Sequence, residues 1–116
     1  MKTETIFIQA IKRDITFYIG KNQDENFEVI DNGAENDLWF HAKNISSCHV
    51  VGIIPDDIDK KEIRYIVTVG ALLCKNNTNK LKSLKNVEIT YTQIKNITKT
   101  NIRGCVETQN TKTVVC

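Results

Sequence analysis

One stretch of this chain repeats its apolar residues with a helical period, while most of its surroundings alternate or break. That contrast limits the possible folds more than any other feature. Between Asp56 and Asn76, the residues Ile63, Ile66, Val67, Gly70, Leu73 and Cys74 recur at helical spacing. Val69 and Leu72 widen the same face, which predicts a helix buried along most of its length. Pro55 and the following aspartates mark its start, Asp59 and Glu62 stand at capping-box spacing, and Asn76 to Asn79 supply the stop. The helix is expected over about residues 57–76.

The flanks read as strands. Thr5 to Ile11 is one; a second begins at Asp14 or Thr16 and runs through Phe17, Tyr18 and Ile19, with Lys12 to Asp14 as the turn. Leu38 to Ala42, His49 to Ile54 and Val87 to Thr92 follow. Residues 104–108 and 112–116 resemble a closing hairpin around Gln109 and Asn110. A short helix is expected over about 24–32, where Phe27 and Ile30 lie three apart and Asn32-Gly33 can end it. These elements predict an α+β fold: a largely antiparallel sheet packed by one long and one short helix. With 116 residues and 41% hydrophobic content, residues 1–116 fit a single domain that buries roughly two-thirds of its unfolded surface.

Several classes are disfavoured. The apolar runs are strand-sized, far below a membrane span, and the first residues carry no signal-peptide pattern. A cytoplasmic protein that stays off membranes is expected. Cys48, Cys74, Cys105 and Cys116 include no CxxC pair, so reduced thiols and no metal are expected, with Cys74 packed in the helical core. Charge is divided unevenly. Residues 1–62 hold seven Lys/Arg against twelve Asp/Glu, a net −5; residues 63–116 hold nine against two, a net +7. This fits either a polyanion-facing surface or two halves that neutralise each other in the fold.

A set of ordered motifs narrows the field. Asp37-Leu38-Trp39-Phe40-His41 is followed by Ser46-Ser47-Cys48-His49-Val50; upstream lies Gly20-Lys21-Asn22 with Asn26, and downstream Val87-Glu88-Ile89-Thr90-Tyr91-Thr92 with Lys95. Together with Gly104-Cys105-Val106 and Lys112-Thr113-Val114, this order resembles the NFACT-R (NFACT RNA-binding) family over roughly residues 15–116. The Ser-Ser before Cys48-His49-Val50 is most similar to the stand-alone, single-domain eukaryotic members. The resemblance implies a non-catalytic RNA-binding module, without cofactor, tied to translation or ribosome-associated quality control. Its implied partners are RNA, of the transfer or ribosomal kind, and ribosome-associated proteins.

The residues suggest how such a module would bind. In an extended Leu38–Ala42, Trp39 and His41 share one face while Leu38, Phe40 and Ala42 share the other. Trp39, His41 and His49 could stack a base beside Lys21, Asn22 and Asn26; alternatively, Trp39 covers the second face of the sheet under the long helix. Asp37 and Ser47 complete the candidate set, with Asp37 capping locally or bonding His41 or a neighbouring amide. Lys75, Lys80, Lys82 and Lys85 form a basic set without an acid among them, suited to phosphate contacts. Against this stand the six acids from Asp24 to Asp37. Two other readings compete: a protein-interaction module docking on a ribosome-associated or other partner, and an enzyme using His41 and His49 as acid and base.

Overall fold

A computed structural model describes residues 1–116. Its main sheet has six antiparallel strands in the order β1-β2-β4-β3-β5-β8: β1 (Lys2–Ile8), β2 (Arg13–Gly20), β3 (Leu38–Ala42), β4 (His49–Gly52), β5 (Glu88–Gln93) and β8 (Lys112–Val115). Between β2 and β3 lies α1 (Gln23–Asp31), and between β4 and β5 lies α2 (Ile63–Asn76). A separate ribbon pairs β6 (Ile97–Lys99) with β7 (Val106–Thr108). The architecture is α+β, as the sequence predicts.

Alternation along the strands builds two cores. Ile15, Phe17 and Ile19 of β2, Leu38, Phe40 and Ala42 of β3, Val50 of β4 and Ile89 of β5 point to one face. There they meet Ile66, Val67, Ala71 and Cys74 of α2. Gly70 permits the close approach: a Cβ there would lie 2.3–2.9 Å from the Phe40 ring. On the opposite face, Trp39 and Val51 pack with Val29 and Ile30 of α1, and Ile97 and Val106 of the ribbon close the rim. Both faces of the sheet are therefore covered, one by α2 and the other by α1 and β6–β7.

Several element boundaries differ from the sequence reading. The long helix begins as a 3₁₀ turn at Lys60–Glu62 and becomes α-helical at Ile63, not at 57. Asp57 is held outside it by paired bonds from Arg13 Nη1 and Nη2 (3.0 and 3.1 Å). The first turn occupies Gln9–Lys12, with Lys12 at φ 51°, so β1 ends earlier than expected. The closing hairpin does not form. Residues 106–108 pair with β6, whereas 112–115 pair with β5. The 3₁₀ turn Ile94–Asn96 causes this, because it turns the chain off β5 and carries Ile97–Lys99 to the second face.

Candidate nucleic-acid interface

The β2–α1 junction is built by its own side chains. Gly20 ends β2 where a Cβ would lie 2.7 Å from the Glu25 backbone, so α1 starts directly against the strand. Asn22 is the N-cap, and its Oδ1 accepts from Glu25 N at 2.9 Å. Glu25 Oε1 in turn accepts from Lys21 N at 3.1 Å. The Asn26 carboxamide closes the turn once its oxygen and nitrogen are assigned from the surrounding acceptors, which places the nitrogen 2.8 Å from Gly20 O and 3.3 Å from Asn22 O. Asn22 and Asn26 thus brace the loop, and the exposed Lys21 side chain makes no ion pair. The first-turn acids are engaged. Asp24 binds Arg103 and Glu25 binds the Met1 ammonium at 3.0 Å. The Arg103 hydrogen bond holds the Asp24 carboxyl below its ordinary range, and the Lys21 amide does the same for Glu25. These pairings offset the repulsion that the acidic run would direct at a phosphate.

The ring cluster sits deeper than the stacking reading requires. Trp39 is only 3% exposed and His49 only 4%. Trp39 Nε1 donates to His49 Nδ1 at 3.2 Å. His41 lies parallel to the indole (centroids 5.6 Å, 6° apart) and edge-on to His49 (4.8 Å, 82°). Trp39 and His41 do share a face, but Trp39 lies beneath α1 and the ribbon. It is neither open to solvent nor under the long helix. Burial pushes the His49 imidazole down to about 3, with the neighbouring His41 adding to the effect, so it stays a neutral acceptor. Burial also lowers His41, and the charge of Lys80 acts in the same direction. Of the three rings, only His41 keeps partial exposure.

Two other candidates are also structural supports. Asp37 is buried; its Oδ2 accepts from Ala34 N (2.7 Å) and its Oδ1 from Ile54 N (2.8 Å), locking the entry to β3 onto the exit from β4. It is unavailable to a ligand and bonds neighbouring amides instead of His41. Ser47 Oγ accepts from Ala42 N (3.0 Å) and donates to Cys48 O (2.9 Å), which shapes the β3–β4 loop while leaving the residue half-buried.

Two open clefts meet at these loops. The first, about 560 Å³, is lined by Lys21, Asn22, Asn26, Ser47, Thr78 and Lys80 among others. The second, about 590 Å³, is lined by Trp39, His41, His49, Arg103 and Thr108 among others. Gln23, Asn26, Ser46 and Ser47 line both, so the two are continuous. Lys80 and Lys21 arrive from different elements and make no ion pair. The rest of the basic set separates. Lys75 lies near Cys116, where its charge acts on that thiol, and Lys82 and Lys85 line neither cleft. Gln23, Asn77, Asn79 and Arg103 line the clefts without having been singled out from sequence; only the asparagine-rich helix end offered a signal for two of them. Amide, hydroxyl and ammonium donors dominate the lining. Such donors suit phosphate and ribose oxygens, and the single accessible ring limits base stacking.

Comparison with known proteins places this geometry in context. The sequence model described as the NFACT protein RNA binding domain matches residues 5–109. The chain is 37% identical over 90 residues to coiled-coil domain-containing protein 25 of Danio rerio, covering 73% of this chain and 42% of that protein. It is 31% identical over 88 residues to the Rqc2 homolog RqcH of Bacillus subtilis, covering 75% of this chain and 14% of that protein. The chain thus spans less than half the length of these curated relatives. Among solved structures, the C-terminal part of the fibronectin/fibrinogen-binding protein from Streptococcus suis superposes with a TM-score of 0.79 at 24% identity. That match covers 99% of this chain and 45% of the other, and it shows a shared fold.

Proposed function

Because the chain belongs to the NFACT protein RNA-binding domain family, we propose that it binds RNA without catalysis, in the continuous cleft between α1, the β3–β4 loop and the end of α2. The observation that carries this reading is the convergence of two unpaired lysines, Lys21 and Lys80, on a lining of amide and hydroxyl donors. In this reading RNA is held by its sugar–phosphate backbone, with His41 as the one ring beside it. Trp39, His49 and Asp37 hold the cleft in shape from below, and Asn22, Asn26 and Ser47 fix its loops. In this reading the RNA belongs to the translation machinery, ribosomal or transfer, and is met in the cytoplasm. No helix is long and apolar enough to cross a membrane. His49, neutral and occupied at Nδ1, gives no support to acid–base cleavage by paired imidazoles.

Fluorescence anisotropy with a labelled structured RNA, across a potassium chloride series, tests this. Lys21→Glu and Lys80→Glu should each weaken binding several-fold, and each should reduce the steepness of the salt dependence by about one ion. Folded variants that bind as tightly as the parent, with the same salt slope, would refute the cleft as the RNA site.

A second reading rests on a different groove of about 740 Å³, floored by Leu38, Ile54, Ile63 and Val67 and rimmed by Lys60, Arg64, Lys95 and Lys112, with Asp56 the only acid. None of these four cations is in an ion pair. An acidic segment of a ribosome-associated protein with an apolar anchor matches that surface by charge and shape. Retained protein capture together with lost RNA binding in the cleft variants would separate the two surfaces.

A further inference from the structure

We propose that Cys48 and Cys74 form an oxidisable dithiol at the floor of the first cleft, with a hydroperoxide as oxidant and a Cys48–Cys74 disulfide as product. The two residues belong to elements that the fold presses together: Cys48 immediately precedes β4, and Cys74 lies in the last turn of α2. Their contacts are reciprocal. Cys48 Sγ lies 3.3 Å from Cys74 O, and Cys74 Sγ lies 3.5 Å from Cys48 O. Thr78 ties both backbones together, since its Oγ1 accepts from Cys48 N (3.2 Å) and donates to Cys74 O (2.9 Å). The same oxygen stands 3.4 Å from Cys48 Sγ. Neither thiol is in a disulfide.

The pair is asymmetric in the way a two-step oxidation requires. Cys48 is 6% exposed and lines the cleft, whereas Cys74 is fully buried, so an oxidant entering from solvent meets Cys48 first. The Cys74 side chain, the Thr78 hydroxyl and the charge of Lys21 together lower the Cys48 thiol below its ordinary value, against its burial. The neighbouring Cys48 side chain and burial raise Cys74, which stays protonated. Its place on the cleft makes Cys48 the thiol that reacts first, as its thiolate, and burial behind it makes Cys74 the resolving thiol.

In the first step the Cys48 thiolate attacks the terminal oxygen of the peroxide. The O–O bond breaks, and the departing alkoxide or hydroxide takes a proton to leave as alcohol or water. Cys48 becomes a sulfenic acid, oxidised by two electrons, while the peroxide is reduced by two. Next, the Cys74 sulfur attacks the Cys48 sulfur. The S–O bond breaks, hydroxide leaves with the Cys74 proton as water, and the S–S bond forms. A thiol reductant reverses the bridge.

The test uses the full chain carrying Cys105→Ser and Cys116→Ser, which leaves only this pair. Reduced protein is treated with hydrogen peroxide and followed by intact mass. The expected result is a loss of about 2 Da, reversed by dithiothreitol, with a Cys48–Cys74 peptide in the non-reduced digest. Adding Cys74→Ser should stop the reaction at a Cys48 adduct of about +16 Da that dimedone traps. An unchanged mass with two titratable thiols, or over-oxidation of Cys48 without a link to Cys74, would overturn the proposal. The parent protein's own peptide map provides the same readout without any variant, so misfolding of the substituted chains cannot decide the matter. Because the readout is a covalent mass, it does not depend on whether the cleft binds RNA.

Discussion

In a Trp39→Phe variant the indole N–H that donates to His49 Nδ1 at 3.2 Å is lost, and the buried imidazole nitrogen keeps no partner. An unsatisfied buried acceptor costs about 1–3 kcal/mol. The smaller ring leaves a void against Val29, Ile30 and Val51, adding about 0.5–1.5 kcal/mol, as losses of small buried groups do. The total is roughly 1.5–4.5 kcal/mol. With a denaturant slope of about 2 kcal/mol/M, the urea midpoint should fall by about 1–2 M while the chain stays folded without urea. RNA affinity of the folded variant should change less than threefold, because the ring it replaces is 3% exposed. Were Trp39 stacked on a base, the loss would approach 1–3 kcal/mol of binding instead. Urea unfolding followed by circular dichroism, run beside anisotropy on the same samples, measures both. A tenfold or greater loss of affinity with an unshifted midpoint would refute the structural assignment of this ring.

Other consequences follow from the same contacts. Asp37→Ala leaves the Ala34 and Ile54 amides without their acceptor and should destabilise by about 2–5 kcal/mol in urea unfolding, with RNA affinity per folded molecule unchanged. Stability should decline as pH falls from about 6.5 toward 3. Across that window the unfolded chain binds a proton at His49 that the folded chain refuses, for a slope of at most about 1.4 kcal/mol per pH unit from this group; urea midpoints at pH 7, 6, 5 and 4 measure it. Lys80→Glu alone should weaken RNA binding more than Lys82→Glu and Lys85→Glu together, since Lys80 lines the cleft and the other two do not; anisotropy at low salt would show the order.

What the sequence could disclose depended on the range of the interaction. The parity of Leu38–Ala42 was legible because strand alternation needs no tertiary information, and Phe40 does meet α2 while Trp39 faces the opposite way. That Trp39 covers the second face was one of two readings open in the sequence; what covers it was not legible, because the cover comes from α1 and from Ile97 and Val106, on strands whose pairing depends on the bend at Ile94–Asn96. That bend also explains the misread hairpin. Gln109 and Asn110 look like a two-residue turn locally, yet β5 and β6 each recruit one of the two flanking strands. The motif asparagines, Asp37 and Ser47 were singled out from the sequence as contacts, whereas in the fold their side chains are spent on backbone groups of their own loops. The cleft that Lys21 and Lys80 both line, and the contact of Cys48 with Cys74, join distant parts of the chain, which composition and spacing do not reveal.

Amide chemical-shift mapping of isotope-labelled protein during titration with a structured RNA addresses the RNA site most directly. The shifts should concentrate at residues 21–26, 46–49 and 77–80 and vanish together as salt is raised. Shifts confined to residues 54–67 and 91–96, with the lysine cleft silent, would mean that RNA docks on the other groove and that the cleft assigned to it serves something else.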